Sequence, residues 1–120
     1  MKNILQEKSY KFAIRIVRLS NYLNNEKREY VLSKQVLRSG TSIGANFEEA
    51  LGGQSRKDFL SKIYLSYKEA RETKFWLRLL KDTDYISEIE ANSLIVDCEE
   101  LLKIMGATIS TLKRQKKTEI

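Results

Sequence analysis

A chain of 120 residues with a formal net charge of +6, no proline, one cysteine and no histidine has the length for one core but lacks the partners that most hydrolytic mechanisms need. The absence of His removes Ser/His/Asp and Cys/His triads, imidazole metal ligands and the usual switch near neutral pH, and a single Cys excludes an intramolecular disulfide. With 42% hydrophobic and 32% charged residues, the composition describes helices with solvated faces, and its surplus of Lys and Arg favours a polyanionic partner.

The N-terminal MKNILQEKSYKF carries charges throughout, and no stretch approaches the ~20 consecutive apolar residues of a membrane span. No leader and no membrane partner are expected, and the lone thiol fits a reducing, cytoplasmic setting.

The first predicted helix covers about residues 6–24. Phe12, Ile16, Leu19 and Leu23 recur at alternating spacings of four and three, with Leu5 extending the stripe backward. Lys8, Lys11, Arg15 and Arg18 repeat at the same spacing on its flank as a basic edge. Tyr10, Ile14 and Val17 form a second apolar row nearly opposite the first. One intramolecular core cannot bury both rows, so contact with another subunit is expected.

After the polar connection NNEKRE, a second helix is predicted over about 30–52, its start falling between Glu26 and Ser33. Leu32, Val36, Ile43, Phe47 and Ala50 or Leu51 mark its inward face. Within it lies RSGTSIGANFEEALGG, which holds Gly40, Gly44, Gly52 and Gly53 of the chain's five glycines. Each interior Gly costs about 1 kcal/mol of helix propensity relative to Ala, which implies close packing or exposed backbone in return. The stretch is not a phosphate loop: no Lys followed by Ser or Thr comes after its last glycine, and no strand precedes it. Thr41, Ser42 and Ala45 make the outward side small and smooth, a second packing surface. Gly52 and Gly53 are expected to close the helix in left-handed geometry, and Ser55 with Asp58 to start the next.

The third helix is predicted over 56–82, with Phe59, Ile63, Ser66, Ala70, Thr73, Leu77 and Leu80 on its stripe. Its small middle, Ser66, Ala70 and Thr73, is expected to lie against the Gly40 and Gly44 region. Glu69 beside the stripe needs a donor, and structural pairing is the expected role of Glu69, Glu72, Glu48 and Glu49. Tyr64, Tyr67, Phe75 and Trp76 make this the aromatic element, while Arg71, Lys74, Arg78 and Lys81 form a second basic row. Interleaved aromatic and basic residues suit single-stranded nucleic acid, although an aromatic core with a solvated flank is the commoner meaning.

Ser87 and Glu90 form another capping box that starts a fourth helix over about 87–114. Ala91, Leu94, Ile95, Cys98, Leu101, Leu102, Met105, Ile109 and Leu112 line its inner face, so Cys98 is expected to be a buried thiol. Acidic residues crowd its first half and basic ones its second, in keeping with the helix dipole. The terminal KRQKKTEI is expected to be a frayed basic tail. Four amphipathic helices with short connections predict an all-α, antiparallel up-and-down four-helix bundle over residues 1–120, with no second domain.

The string QVLRSGTSIGANFEEALGGQSRKDFLSKIYLSYKEARETKFWLRLL resembles the signature of the four-helix bundle proteins encoded in intervening sequences of bacterial 23S ribosomal RNA genes. The likeness runs from about Tyr10 to Leu112 and is sharpest at RSGTSIGANFEEA and KEARETKFWLRLL. It implies a left-handed bundle assembled as a homopentamer, without enzymatic activity or cofactor. Many such proteins carry Pro where this chain has Gly44, which implies a straighter second helix here. A relative is the accessory protein of diversity-generating retroelements, whose basic pentameric barrel is thought to bind nucleic acid and a reverse transcriptase.

Two functional expectations follow. The first is a homo-oligomer that binds RNA or DNA without reading sequence, through Lys8, Lys11, Arg15, Arg18, Arg71, Lys74, Arg78 and Lys81, with Tyr10, Ile14, Val17, Thr41, Ser42 and Ala45 between subunits. The alternative is an oligomeric scaffold for a protein partner, with basicity incidental. Neither expectation involves a metal or an enzyme.

Overall fold

A computed structural model describes residues 3–118 and places four helices in them: α1 (Ile4–Asn25), α2 (Leu32–Leu51), α3 (Arg56–Asp82) and α4 (Glu88–Thr118). Three of the four helix starts are set by the side-chain oxygen of the cap residue itself, which takes up an orphan backbone N–H. Asn3 Oδ1 accepts from Gln6 N at 3.0 Å, Ser55 Oγ from Asp58 N at 3.1 Å, and Ser87 Oγ from Glu90 N at 3.1 Å. At α2, where Val31 cannot cap, Glu29 Oε1 accepts from Ser33 N at 2.9 Å.

The turns depart from expectation at the glycines. Gly52 leaves α2 at φ −88°, ψ 2°, and no glycine among the described residues has positive φ. Left-handed geometry falls instead on Arg28 (φ 54°) and Asp84 (φ 64°). Gly53 has a steric reason to be small: a Cβ there would stand 3.1 Å from the Ala50 carbonyl oxygen and 3.3 Å from Asp58 Cβ. A second correction concerns the end of the fourth helix, expected near residue 114: α4 runs on through Thr118, and the last two residues of KRQKKTEI lie outside the described residues.

The expected stripes meet in one core. Phe12, Ile16, Leu23, Val36, Ile43, Ile63, Leu77, Leu80, Leu94, Leu101 and Met105 are buried, and each large aliphatic side chain among them contributes about 1.5–3 kcal/mol by leaving water. At the end of α2, Ala50 faces inward and Leu51 is exposed. No helix of the described residues is long and apolar enough to cross a membrane.

Polar contacts along each seam fix the directions. The start of α1 meets the end of α2 (Gln6 Nε2 donates to Glu48 Oε1, 2.9 Å), and its end meets the start of α2 (Ser33 Oγ donates to Asn24 Oδ1, 2.8 Å). Likewise Arg38 on α2 reaches Glu69 on α3 at 3.3 Å while Lys62 reaches back to Glu49 at 3.9 Å. Lys74 meets Glu99 and Lys81 meets Asn92 on the α3/α4 seam, while Lys8 meets Glu100 and Arg15 meets Asp97 across α1/α4. Every neighbouring pair is therefore antiparallel, α1 and α3 are diagonal, and α4 lies between them.

The small residues of α2 divide into two adjacent rows. Ser39 and Ile43 face α3: Ser66 Oγ donates to the Ile43 carbonyl at 2.6 Å, and Thr73 Oγ1 stands 2.9 Å from Ser39 Oγ and 2.7 Å from the Glu69 carbonyl. Gly40 and Gly44 face α1 instead, where a Cβ on Gly40 would lie 2.8 Å from both Ile16 Cγ atoms and one on Gly44 would lie 3.4 Å from Ser9 Oγ. This corrects the expectation that the glycines admit α3. Successive residues are ~100° apart on a helix, so neighbouring positions in sequence serve different neighbours in space.

Candidate nucleic-acid interface

The eight cations expected to form one basic surface fall into two groups. Lys8 Nζ donates to Glu100 Oε1 at 2.7 Å, and that bond, with the carboxylate's charge, holds the ammonium above its ordinary pKa. Arg15 Nη1 donates to Asp97 Oδ2 at 2.5 Å, and its Nη2 donates to Ser93 Oγ at 3.0 Å. On the opposite flank, Lys74 Nζ donates to Glu99 Oε2 at 3.3 Å and Lys81 Nζ to Asn92 Oδ1 at 3.4 Å. All five acceptor residues belong to the N-terminal half of α4. That half lies between α1 and α3 and draws one side of each basic row toward itself.

Arg18, Arg71 and Arg78 point away from this seam, whereas Lys11 stands at its edge, lining a small concavity of about 150 Å³ with Lys8, Asp97 and Glu100 without bonding to either carboxylate. These four cations, Lys11 included, are exposed, and among the described residues none of them has an ion pair or hydrogen bond. Partly exposed ion pairs such as those of Lys8, Arg15 and Lys74 contribute little to stability. Their larger effect is on the field, because a lysine beside a carboxylate attracts a phosphate far less than a free one does. Sequence spacing placed all eight in two continuous rows; the carboxylates of α4 take three, the Asn92 amide accepts from Lys81, and four have no bonded partner.

The six residues expected between subunits divide by helix. Tyr10, Ile14 and Val17 are 68%, 38% and 43% exposed, so no part of the chain's own core covers them. With Ala13 and Arg18 they line an open concavity of about 300 Å³ on α1. Tyr10 and Val17 belong to the row Gln6, Tyr10, Ala13, Val17, Asn24, whose two ends hydrogen-bond to α2, so this apolar patch borders the α1/α2 seam. On α2, Ala45 is exposed while Thr41 and Ser42 are half-buried. Their hydroxyls return to their own helix, Thr41 Oγ1 donating to the Leu37 carbonyl at 2.7 Å and Ser42 Oγ to that of Arg38 at 2.6 Å. Satisfied in this way, they leave a surface that needs no further polar partner.

The carboxylates have structural partners. Arg38 bridges Glu69 and Glu72, Trp76 Nε1 donates to Glu72 Oε2 at 3.0 Å, Gln6 holds Glu48 and Lys62 approaches Glu49. Among the described residues no cluster of acidic or Cys side chains could hold a metal ion. An open cleft of about 630 Å³ between the end of α1 and the α3–α4 turn mixes Lys27 and Lys81 with Asp82, Asp84 and Glu88, and so has no single sign of charge.

Cys98 is fully buried, with Sγ donating to the Ala70 carbonyl at 3.2 Å. Burial pushes the thiol from 9.0 up to about 12, against a smaller opposing pull from Lys74. It is therefore neutral in the folded chain wherever an unfolded thiol begins to ionise. Its contribution to stability is complete below pH ~9 and is lost as pH rises toward 12. Ellman's reagent at pH 8 is expected to label it only as fast as the bundle opens, at least about a hundredfold more slowly than in denaturant. Labelling of the native chain at the free-thiol rate would contradict the burial.

Sequence reasoning missed Lys57 and Lys68, two further cations on the outer side of α3. Steps of seven from Arg78 through Arg71 and Tyr64 reach Lys57, and Lys68 stands three residues before Arg71 on the same side.

Comparison with known proteins agrees with the bundle. The family model described as 23S rRNA-intervening sequence protein matches residues 1–107. No curated protein matches the chain. Among solved structures, a crystal structure of a protein of unknown function from the S23 ribosomal protein family of Bacteroides thetaiotaomicron VPI-5482 is similar. The two are 48% identical with a TM-score of 0.87, over 88% of this chain and 98% of that one.

Proposed function

The chain belongs to the 23S rRNA-intervening sequence protein family, and we propose that it is a non-enzymatic homo-oligomer that binds RNA or DNA through its basic surface without reading sequence. The observation that carries this reading is the set of four exposed cations, Lys11, Arg18, Arg71 and Arg78, left open while α4 engages the others. Phosphate contacts from such side chains supply affinity but no sequence information, and no recognition element for a groove is present among the four.

The exposed apolar row of α1 supports self-association, and a homopentamer is the assembly implied by the resemblance noted in the sequence. Repetition multiplies the free cations, so a ring of subunits presents several times the charge of one chain to a polyanion. The reducing interior of the cell suits a protein whose one thiol is buried and unpaired.

The test is a salt titration. Binding to a structured RNA or to duplex DNA is expected to weaken steeply as salt rises, with a slope of about −0.9 per phosphate neutralised on a plot of log affinity against log salt. Undetectable binding at low salt removes the proposal. A scaffold for a protein partner is the second reading, favoured by Ile89 and Val96 on the outer side of α4, 85% and 62% exposed. A stoichiometric protein that co-purifies after nuclease treatment would support it.

A further inference from the structure

We propose that the outer row of α3, formed by Lys57, Tyr64, Lys68, Arg71, Phe75 and Arg78, is a track for a single strand of nucleic acid, with Phe75 as the surface on which a base stacks. The inference rests on the nucleic-acid reading above and specifies the strand form and the contact residue.

The six residues follow one another at spacings of seven, four, three, four and three, which keeps them on one line of the helix for 21 residues, or about 32 Å. Their four cations have no ion pair or hydrogen bond among the described residues. That distinguishes the row from both of its borders. On one side Lys74 and Lys81 are held by α4; on the other, Glu69 and Glu72 are held by Arg38. A lane free of carboxylate pairing thus runs between two rows whose charged side chains are engaged by neighbours, Lys74 by Glu99, Lys81 by the Asn92 amide, and Glu69 and Glu72 by Arg38.

Phe75 is 54% exposed toward the C-terminal end of this lane, with Arg71 one turn before it and Arg78 one turn after. Its ring is braced edge-to-face by Trp76, with centroids 5.1 Å apart and planes at 74°, and the indole is itself fixed by its hydrogen bond to Glu72. A fixed aromatic face in water between two guanidinium groups offers stacking to a base and charge to the phosphates on either side of it. Tyr64 has a different part: Lys113 lies 5.0 Å over its ring, which closes that face and adds a cation at the far end of the row. A duplex keeps its base faces stacked inside, so it can use the cations but not Phe75. The occupant is therefore a single strand.

The experiment measures binding of the full chain to two fluorescein-labelled RNAs, a short oligouridylate and a blunt duplex, at low salt. Phe75→Ala is expected to weaken oligouridylate binding about five- to tenfold and duplex binding less than about twofold, while Phe75→Trp retains both. In the wild type, fluorescence of Trp76, the only tryptophan, is expected to fall on adding oligouridylate and to stay constant with the duplex. Because Phe75 lies outside the core, circular dichroism of the variant should match the wild type. If the wild type binds both RNAs and Phe75→Ala weakens neither, or weakens both equally, the track is overturned while the nucleic-acid reading stands. A change of oligomer mass in Phe75→Ala assigns the residue to a subunit contact and also overturns it. If the wild type binds neither RNA, the nucleic-acid reading itself fails.

Discussion

Gly40→Val is expected to cost the bundle about 3 kcal/mol or more, whereas Gly44→Ala, one turn further along α2, should leave stability unchanged or raise it by up to about 1 kcal/mol. Both glycines face α1, so the difference lies in what each would meet. A Cβ on Gly40 would stand 2.8 Å from Ile16 Cγ1 and Cγ2 and 3.2 Å from its Cβ. Ile16 is fully buried and branched at Cβ, so it has neither space nor an alternative rotamer to retreat into. The backbone must move, and α1 separates from α2 along its length. At Gly44 the nearest atom is Ser9 Oγ at 3.4 Å, an ordinary contact, so the gain in helix propensity from alanine is felt almost unopposed. Urea denaturation of the two variants measures the contrast. Combining Gly40→Val with Ile16→Ala should recover part of the loss, because the truncated side chain vacates the volume the valine needs. Equal stability of Gly40→Val and Gly44→Ala would refute the steric account.

Ile14→Glu together with Val17→Glu is expected to turn the proposed homo-oligomer into single chains without unfolding them. Both side chains are already partly in water within one chain, so a carboxylate there has no intramolecular burial to oppose it. In an assembly that covers this row, two buried and unpaired carboxylates per subunit cost several kcal/mol per contact, more than a modest interface supplies. Val96→Glu, exposed on α4 and away from the α1/α2 seam, is the control and should leave the mass unchanged. Light scattering at micromolar concentration gives the answer. A wild type that is already a single chain, or a double variant that keeps the wild-type mass, would contradict the assignment of this face.

The helices and their buried stripes were legible in the sequence because burial imposes a period. Phe12, Ile16, Leu19 and Leu23 repeat at helical spacing only if one side of α1 is covered, and Ser55 and Ser87 stand where caps must. The direction in which a small residue packs was not legible. Gly40 and Gly44 were expected to lie against Ser66, Ala70 and Thr73 of α3, yet Gly40 sits about 60° around α2 from Ile43, so the glycines serve α1 while the Ile43 carbonyl serves α3. Turn geometry failed for a related reason. Gly52 and Gly53 are free to adopt positive φ but the path to α3 does not ask for it, while Arg28 and Asp84 take it because their connections do.

The candidate site was legible as a list of cations and not as a surface. Lys8 and Arg18 carry the same charge on the same helix, and nothing in their spacing says that Glu100 will meet the first and no carboxylate the second. That depends on where α4 lies, which is a tertiary fact. The expected partners of Glu69 were closer to hand, since a half-buried carboxylate requires a donor and Arg38 provides it.

The central claim is that the open cations carry the binding and the α4-engaged ones do not. It is tested most directly by comparing salt slopes on one structured RNA for two variants. One neutralises the open set as Lys11→Gln, Arg18→Gln, Arg71→Gln and Arg78→Gln. The other removes the paired set together with its carboxylates, as Lys8→Gln with Glu100→Gln, Arg15→Gln with Asp97→Asn, and Lys74→Gln with Glu99→Gln, which leaves the net charge as it was. The account predicts a slope shallower by about 0.9 for each open cation that engages a phosphate, with a large loss of affinity, in the first variant and a slope close to wild type in the second. Equal slopes in the first variant and the wild type, or a larger loss in the second variant than in the first, would contradict it.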